Sequence, residues 1–249
     1  MKEVGLQLYT LRRYLKQRDL MLDTLKKVKA LGYDSVQLYG DLNLSEEMGL
    51  AAIKAGLKVV GTTGNYEELF SDPERAMEVH RRIGATNIGI GGRNFANADE
   101  LYKFIDDANA FAAKVGKEGF TFSYHNHSHE FEKIDGKVVY EELTRLTDKE
   151  KINFVLDTYW VQNAGGDIRY WIERLQNRIE ILHLKDMKRV CGKSEFAEIG
   201  EGNLWWEGIV ETAEKCGVAH FVVEQDECDG DPLESIEISS KYLHKNFVK

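Results

Sequence analysis

The sequence predicts a single-domain (β/α)₈ barrel of the TIM type, and three observations carry that expectation. The chain has 249 residues, the usual size of one such barrel. Short runs of β-branched and aromatic residues alternate about eight times with longer amphipathic stretches, as a parallel α/β architecture requires. No Gly-rich phosphate turn follows the first strand-like run, so an open, doubly wound sheet lacks its usual signature.

The elements follow in order. Gly5 to Tyr9 opens as the first strand. Leu22, Leu25, Val28 and Leu31 stand at helical spacing in the segment from Asp19, and Gly32 ends that helix. Ser35 to Tyr39 is the second strand, Ser45-Glu46-Glu47 caps a helix that runs to Gly56, and Leu57 to Gly61 is the third strand. Asp72-Pro73-Glu74 starts the next helix, because proline at the first helical position gives up an N–H that has no partner there. Asn87 to Gly91 is the fourth strand, a long helix spans about Ala98 to Lys117, and the fifth strand runs from Phe120 to His127. Asp135-Gly136 inside an alternating segment predicts a small hairpin near residues 131–139, inserted above the barrel. Asn153 to Asp157, Ile179 to Asp186 and His220 to Glu224 complete the eight strands. The two prolines both stand early in helices, so no linker divides residues 1–249 into domains.

Composition narrows the function classes. Hydrophobic residues make up 43% and charged residues 30%, ordinary for a globular protein and too polar for a membrane protein. Met1-Lys2-Glu3-Val4 leads straight into a strand without a positive leader or apolar signal core, so the expected location is the cytoplasm. A net charge of −9 would repel a polyanion, which argues against nucleic acid as a partner. Cys191, Cys216 and Cys228 lack CxxC spacing and suggest neither a disulfide framework nor a thiolate metal site.

In a parallel barrel all strands end at one face, so polar residues at strand C-termini converge there. His125 and His127 end the fifth strand, Asp157 the sixth, His183 and Lys185 the seventh, and Glu224 the eighth. Asp157 and His183 follow apolar runs, where an ionisable side chain needs a partner or a cation to offset its desolvation. One such residue is more often a cap or a satisfied polar group; four on consecutive strands point to a metal centre of His125, Asp157, His183 and Glu224. This N/O set suits Mn²⁺, Zn²⁺, Co²⁺ or Fe²⁺, with Mg²⁺ also admitted, and the sequence does not choose among them. His129 lies past its strand and His220 begins one at the opposite face, so both read as structural. Tyr159-Trp160 and Trp205-Trp206 are open to either core or rim packing or sugar stacking. Gly91-Gly92-Arg93 reads as an ordinary turn, although its backbone N–H groups could hold an anion.

These residues resemble the sugar phosphate isomerase/epimerase superfamily, the xylose isomerase-like TIM barrels, over nearly the whole chain. The marks are Gln7-Leu8-Tyr9-Thr10-Leu11-Arg12, Tyr124 to Phe131, Leu156 to Trp160, His183-Leu184-Lys185-Asp186, Ile199 to Asn203, and Val223 to Asp226. The resemblance implies one divalent metal held by Glu, Asp, His and Glu of the last four strands. Asp157, His183 and Glu224 match three of these; His125 stands where the first glutamate is expected, as in the inosose dehydratase-like subgroup. Glu130 either replaces that carboxylate by folding back over the site or serves the hairpin structurally. The implied substrate is a small sugar or polyol, with Gln7, Tyr9, Tyr159 and Trp160 as its contacts. Members are often dimers or tetramers, so a homo-oligomer is compatible, though no feature marks an interface.

The chemistry expected is metal-assisted proton abstraction beside a carbonyl, giving an enediolate and an isomer or epimer. Glu224 is the expected base, His127 or Glu130 the group that returns the proton, and Lys185 either offsets developing charge or forms a salt bridge with Asp157 or Glu224. Two alternatives stand beside it: a lyase, which the replacement of the first glutamate by His125 favours, and a non-catalytic sugar-binding barrel.

Overall fold

The computed structural model describes all of residues 1–249. Eight parallel strands build the barrel: β1 (Gly5–Gln7), β2 (Ser35–Tyr39), β3 (Lys58–Thr63), β4 (Asn87–Ile90), β5 (Thr121–His125), β6 (Ile152–Asp157), β7 (Ile179–Leu184) and β8 (His220–Val223). Each strand pairs with its sequence neighbour except β3 with β4, and β8 returns to pair with β1. The ring narrows to a single contact between β3 and β4, where Gly64 N–H donates to the Gly89 carbonyl at 2.8 Å. A Cβ on Gly89 would collide with the Thr62 carbonyl oxygen, so this seam closes on glycine.

Most of the core lies between the strands and the surrounding helices, in one cluster of 59 buried residues. Inside the barrel a separate layer of Val60, Val155, Ile181 and Val222 forms an apolar floor. Side chains two residues further along the same strands share its face, which puts Asp157, His183 and Glu224 directly above Val155, Ile181 and Val222. The polar layer at the mouth is thus the continuation of an apolar one. No helix is long and apolar enough to cross a membrane.

Several boundaries differ from the sequence reading, each for a local reason. β1 stops at Gln7, because the Gln7 side chain accepts from Tyr9 N–H at 3.2 Å and turns the chain into a short 3-10 segment, Leu8–Leu11. The helix expected from Ser45 begins at Leu42 instead, where Asp41 accepts from Leu44 N–H at 2.8 Å; Ser45 is buried inside the helix. The expected hairpin forms from Lys133–Ile134 and Lys137–Val138, with φ of 50° at Asp135 and 78° at Gly136, but Val139 already starts a helix. β7 ends at Leu184, short of the expected Asp186, and Asp186–Val190 pairs with Lys193–Ala197 in a second hairpin that the sequence reading does not contain.

Asp186 explains why that second hairpin stays over the mouth. Its carboxylate accepts from the backbone N–H of Gly200, Gly202 and Leu204 and from Trp206 Nε1 at 2.7 Å. A Cβ on Gly202 would clash with the Asp186 carboxylate, so glycine is required for the loop to wrap this closely. The hairpin then brings Phe196 to the rim of the mouth.

Candidate metal centre

Four residues from four adjacent strands meet at the top of the barrel. His125 ends β5, Asp157 ends β6, His183 lies opposite Asp157 on β7, and Glu224 follows β8. All four are buried, and one donor atom from each falls within 4.8 Å of the others. His125 Nε2 is 3.4 Å from Asp157 Oδ2, and His183 Nδ1 is 3.5 Å from Asp157 Oδ2 and 2.9 Å from Glu224 Oε2.

Alignment separates this cluster from an ordinary hydrogen-bonded network. His183 Nδ1 and Glu224 Oε2 are close without being aligned as a hydrogen bond, and the same oxygen forms an ion pair with Lys185 Nζ at 2.7 Å. Donor atoms gathered this closely without aligned hydrogen bonds leave lone pairs that a small cation could share. The far side of the His183 ring is fixed: Nε2 meets Gln37 Oε1 at 2.5 Å, and that oxygen also accepts from Gln7 Nε2 at 2.9 Å. An acceptor at Nε2 places the proton there and leaves the Nδ1 lone pair facing the cluster. The donor set and the unpartnered atoms therefore fit one divalent metal.

The electrostatics follow from burial and crowding. Burial works against ionisation of Asp157, but Lys185, His125 and His183 outweigh it and hold the carboxyl well below its usual range. Glu224 is lowered in the same way, with burial opposed by Lys185 and His183. Burial would lower His183, whereas Glu224 and Asp157 raise it to about 9. The ring thus holds a proton tightly wherever no cation replaces it.

Glu130 does not join the four. It is fully buried, accepts from Tyr124 OH at 2.8 Å and His127 N–H at 2.7 Å, and lies 3.2 Å from His129 Nε2. Of the two readings of Glu130, the two hydrogen bonds it accepts favour the structural one, while with His127 and His129 it forms a second group of donors in which His127 Nδ1 and His129 Nε2 are buried without a partner. His129 shares that cluster, and His220 lies at the opposite end of the barrel, where β8 begins.

The centre opens into a cleft of about 620 Å³ lined by Tyr9, Tyr39, His125, His127, Trp160, Phe196 and Glu224 among others. His127 sits 4.8 Å from the His125 ring and 5.4 Å from Trp160; burial, then the neighbouring His125, lower it to about 4, so it is neutral near pH 7. The expected substrate contacts divide. Tyr9 and Trp160 line the cleft, while Gln7 lies beneath it among Gln37 and Thr63, and Tyr159 is buried against Phe196 at 4.4 Å. Of the other aromatic pair, Trp206 is core, and Trp205 stands on the surface outside the cleft with Arg169 over its ring.

Lys185 is wholly buried and does not line the cleft. Its ammonium contacts Asp157 Oδ2 at 2.9 Å, Glu224 Oε2 at 2.7 Å and Asp226 Oδ2 at 2.8 Å. Three carboxylates surround the ammonium, with the aligned hydrogen bond going to Asp226, so its charge is already compensated by the protein. Of the two sequence readings, the geometry favours the salt bridge. Gln37, Asp226 and Phe196 were missed; the visible signal was Gln37, an amide on an inward position of a strand otherwise rich in apolar residues.

A family model for the xylose isomerase-like TIM barrel matches residues 25–245. The chain belongs to that family. Among relatives, inosose dehydratase of Mesomycoplasma hyopneumoniae is 32% identical over 162 residues, covering 58% of this chain and 52% of that protein. The chain spans about half the length of the curated relatives it matches. Among solved structures, a sugar phosphate isomerase/epimerase from Parabacteroides distasonis superposes with a TM-score of 0.84 at 23% identity, covering 100% of this chain and 96% of that one. The IolI protein, solved with a bound zinc atom, superposes with a TM-score of 0.73 at 14% identity, covering 98% of this chain and 97% of that one. These structural likenesses are likenesses of fold.

Proposed function

We propose that this barrel is a divalent-metal-dependent isomerase of keto-sugars, moving a proton between neighbouring carbons through an enediolate. The observation that carries this reading is the buried His125, Asp157, His183 and Glu224 cluster at the floor of a cleft of about 620 Å³, roomy enough for a small sugar. When bound, a divalent cation supplies Lewis acidity, drawing electron density from a carbonyl and a neighbouring hydroxyl and so acidifying the adjacent C–H. His125, Asp157, His183 and Glu224 would hold it.

The remaining steps belong to side chains. Glu224 Oε1, the oxygen that neither Lys185 nor His183 touches, takes the proton. The neutral His127 ring, across the mouth on the strand 5 side, donates a hydrogen bond to substrate oxygen without carrying charge. Tyr9, Trp160 and Phe196 give the cleft apolar walls on which a sugar ring can rest. With Glu130 locked in hydrogen bonds, one carboxylate both removes and returns the proton, on one face of the substrate. This favours a 1,2-shift over an epimerisation that needs bases on both faces.

Dehydration is the second reading, and two observations favour it. His125 stands where the family resemblance implies a glutamate, and the relative at 32% identity is named an inosose dehydratase. Here Glu224 would pass the same proton to a departing β-hydroxyl. The test strips the protein of metal, restores Mn²⁺ or Zn²⁺, and follows keto-sugars and keto-inositols in D₂O by NMR and ultraviolet absorbance. Deuterium beside the carbonyl with an isomeric product is expected; an absorbing enone would replace isomerisation by dehydration. Absence of exchange across the panel would overturn both.

A further inference from the structure

Lys185 is the feature that the proposed chemistry leaves without a role. The end of β7 is pinned by Thr158, whose hydroxyl accepts from Lys185 N–H at 3.0 Å and lies 2.8 Å from the Lys185 carbonyl oxygen. The side chain then runs behind Trp160 and Phe196, with the ammonium 5.3 Å and 5.8 Å from their ring centroids. It arrives between the carboxylates of the metal centre.

The oxygens it meets are the ones that a metal needs. Asp157 Oδ2 faces His125 Nε2 and His183 Nδ1, and Glu224 Oε2 faces His183 Nδ1; the same two oxygens contact the ammonium at 2.9 Å and 2.7 Å. The other Asp157 oxygen is committed to capping a helix through Trp160 N–H at 3.0 Å. A dication and an ammonium therefore draw on shared lone pairs in a buried site, and they also repel each other there. The third partner, Asp226 Oδ2 at 2.8 Å, is outside the ligand set and partly exposed at the cleft.

We propose that Lys185 is a built-in counter-cation that competes with the metal for Asp157 and Glu224, and that Asp226 holds its ammonium aside when the metal binds. The proposal rests on the reading of the four residues as a metal centre. Its consequence is that metal affinity is set by a residue outside the coordination sphere: Lys185 keeps the buried carboxylates compensated at the cost of weaker metal binding. A lysine that merely oriented the ligands would have the opposite effect, since its loss would weaken the metal.

The sign makes the test. Full-length protein is stripped with chelator and titrated calorimetrically with Mn²⁺ and with Zn²⁺ as wild type, Lys185→Met and Asp226→Asn. Lys185→Met is expected to bind metal about tenfold more tightly or better, and Asp226→Asn about tenfold more weakly, in line with the energies of close charge pairs. In the double variant the Asp226→Asn effect shrinks, because no ammonium remains to be held. Melting curves give an independent readout: Lys185→Met melts lower than wild type in chelator and recovers the difference in saturating metal. Weaker metal binding by Lys185→Met, or an unchanged affinity in Asp226→Asn, overturns this proposal alone. Absence of binding by both wild type and Lys185→Met overturns the metal centre and this proposal with it.

Discussion

His80 and His183 are both wholly buried imidazoles, one in the layer between helix and sheet and one at the barrel mouth, and their environments drive them in opposite directions. His80 sits on the helix Pro73–Ile83, with Nε2 3.0 Å from Thr62 Oγ1 and Nδ1 2.6 Å from the Ala76 carbonyl; burial without a carboxylate lowers it to about 4. His183 is just as buried, but Glu224 and Asp157 raise it to about 9. Desolvation is common to both, so burial alone is no mark of function. What distinguishes the mouth is charge that the protein gathers and does not pair off in aligned hydrogen bonds.

Glu130 sharpens the contrast from the acidic side. Its carboxylate is as buried as that of Asp157, yet Tyr124, His127 and His129 surround it with donors. Two acid–histidine clusters thus share one rim, one whose carboxylate is closed off by hydrogen bonds from Tyr124 and His127 and one left open.

The largest expected effect falls on the open cluster. Asp157→Asn keeps the helix-capping acceptor for Trp160 N–H but removes the charge, so metal titration should show binding reduced by at least about a hundredfold, with turnover lost alongside. Retention of metal by this variant would erase the distinction between the two clusters. The reverse outcome is expected for the closed one. Glu130→Ala should cost about 3 kcal/mol in urea unfolding, because Tyr124 OH and His127 N–H lose a buried acceptor, while one metal per chain is still bound. A variant that unfolds normally but binds no metal would instead make Glu130 a ligand.

A third measurement addresses the histidines. His80 has a depressed folded value, about 4 against 6.5, so its contribution is complete above pH 6.5 and is lost as pH falls toward 4. That loss amounts to about 3 kcal/mol over the window. His80→Gln should flatten this part of the stability curve, measured by denaturant melts between pH 7 and 4. An unchanged slope would assign the acid sensitivity to other groups.

The parts of this site that were legible in the sequence are those whose chemistry is costly wherever they sit. Asp157 and His183 stood out because each ends an apolar run, and Glu224 because it ends the last strand. The residues that were not legible depend on what faces them across the barrel. Gln37 stands out only as an amide on an apolar strand, and its partner appears only when β2 and β7 bring it to the His183 ring. Lys185 supported two readings because sequence spacing gives its strand face but not the carboxylates that surround its ammonium. The second hairpin escaped because its turn is Cys191-Gly192, with φ of 47° and 81°, where an Asn-Gly or Asp-Gly signal would have marked it. The expected strand and hairpin at residues 179–186 and 131–139 were right in place and wrong in extent, since pairing from Asp186 and the helix that starts at Val139 are decided by local hydrogen bonds.

The smallest expected effect concerns Gln37 itself, and it tests whether the open cluster is oriented as well as charged. Gln37→Leu removes the acceptor at His183 Nε2 while leaving all four ligands and their charges in place. Without that acceptor the ring is free to place its proton on Nδ1, facing the other ligands, and metal affinity should fall by about 10- to 100-fold. Gln7→Leu, one hydrogen bond further out, should produce the same change at smaller size, because Gln7 Nε2 is what holds Gln37 Oε1 in its accepting role. The graded series matters more than either value. If both variants bind metal as wild type does, proton placement on His183 is set by Asp157 and Glu224 alone, and the amide pair beneath the site serves packing.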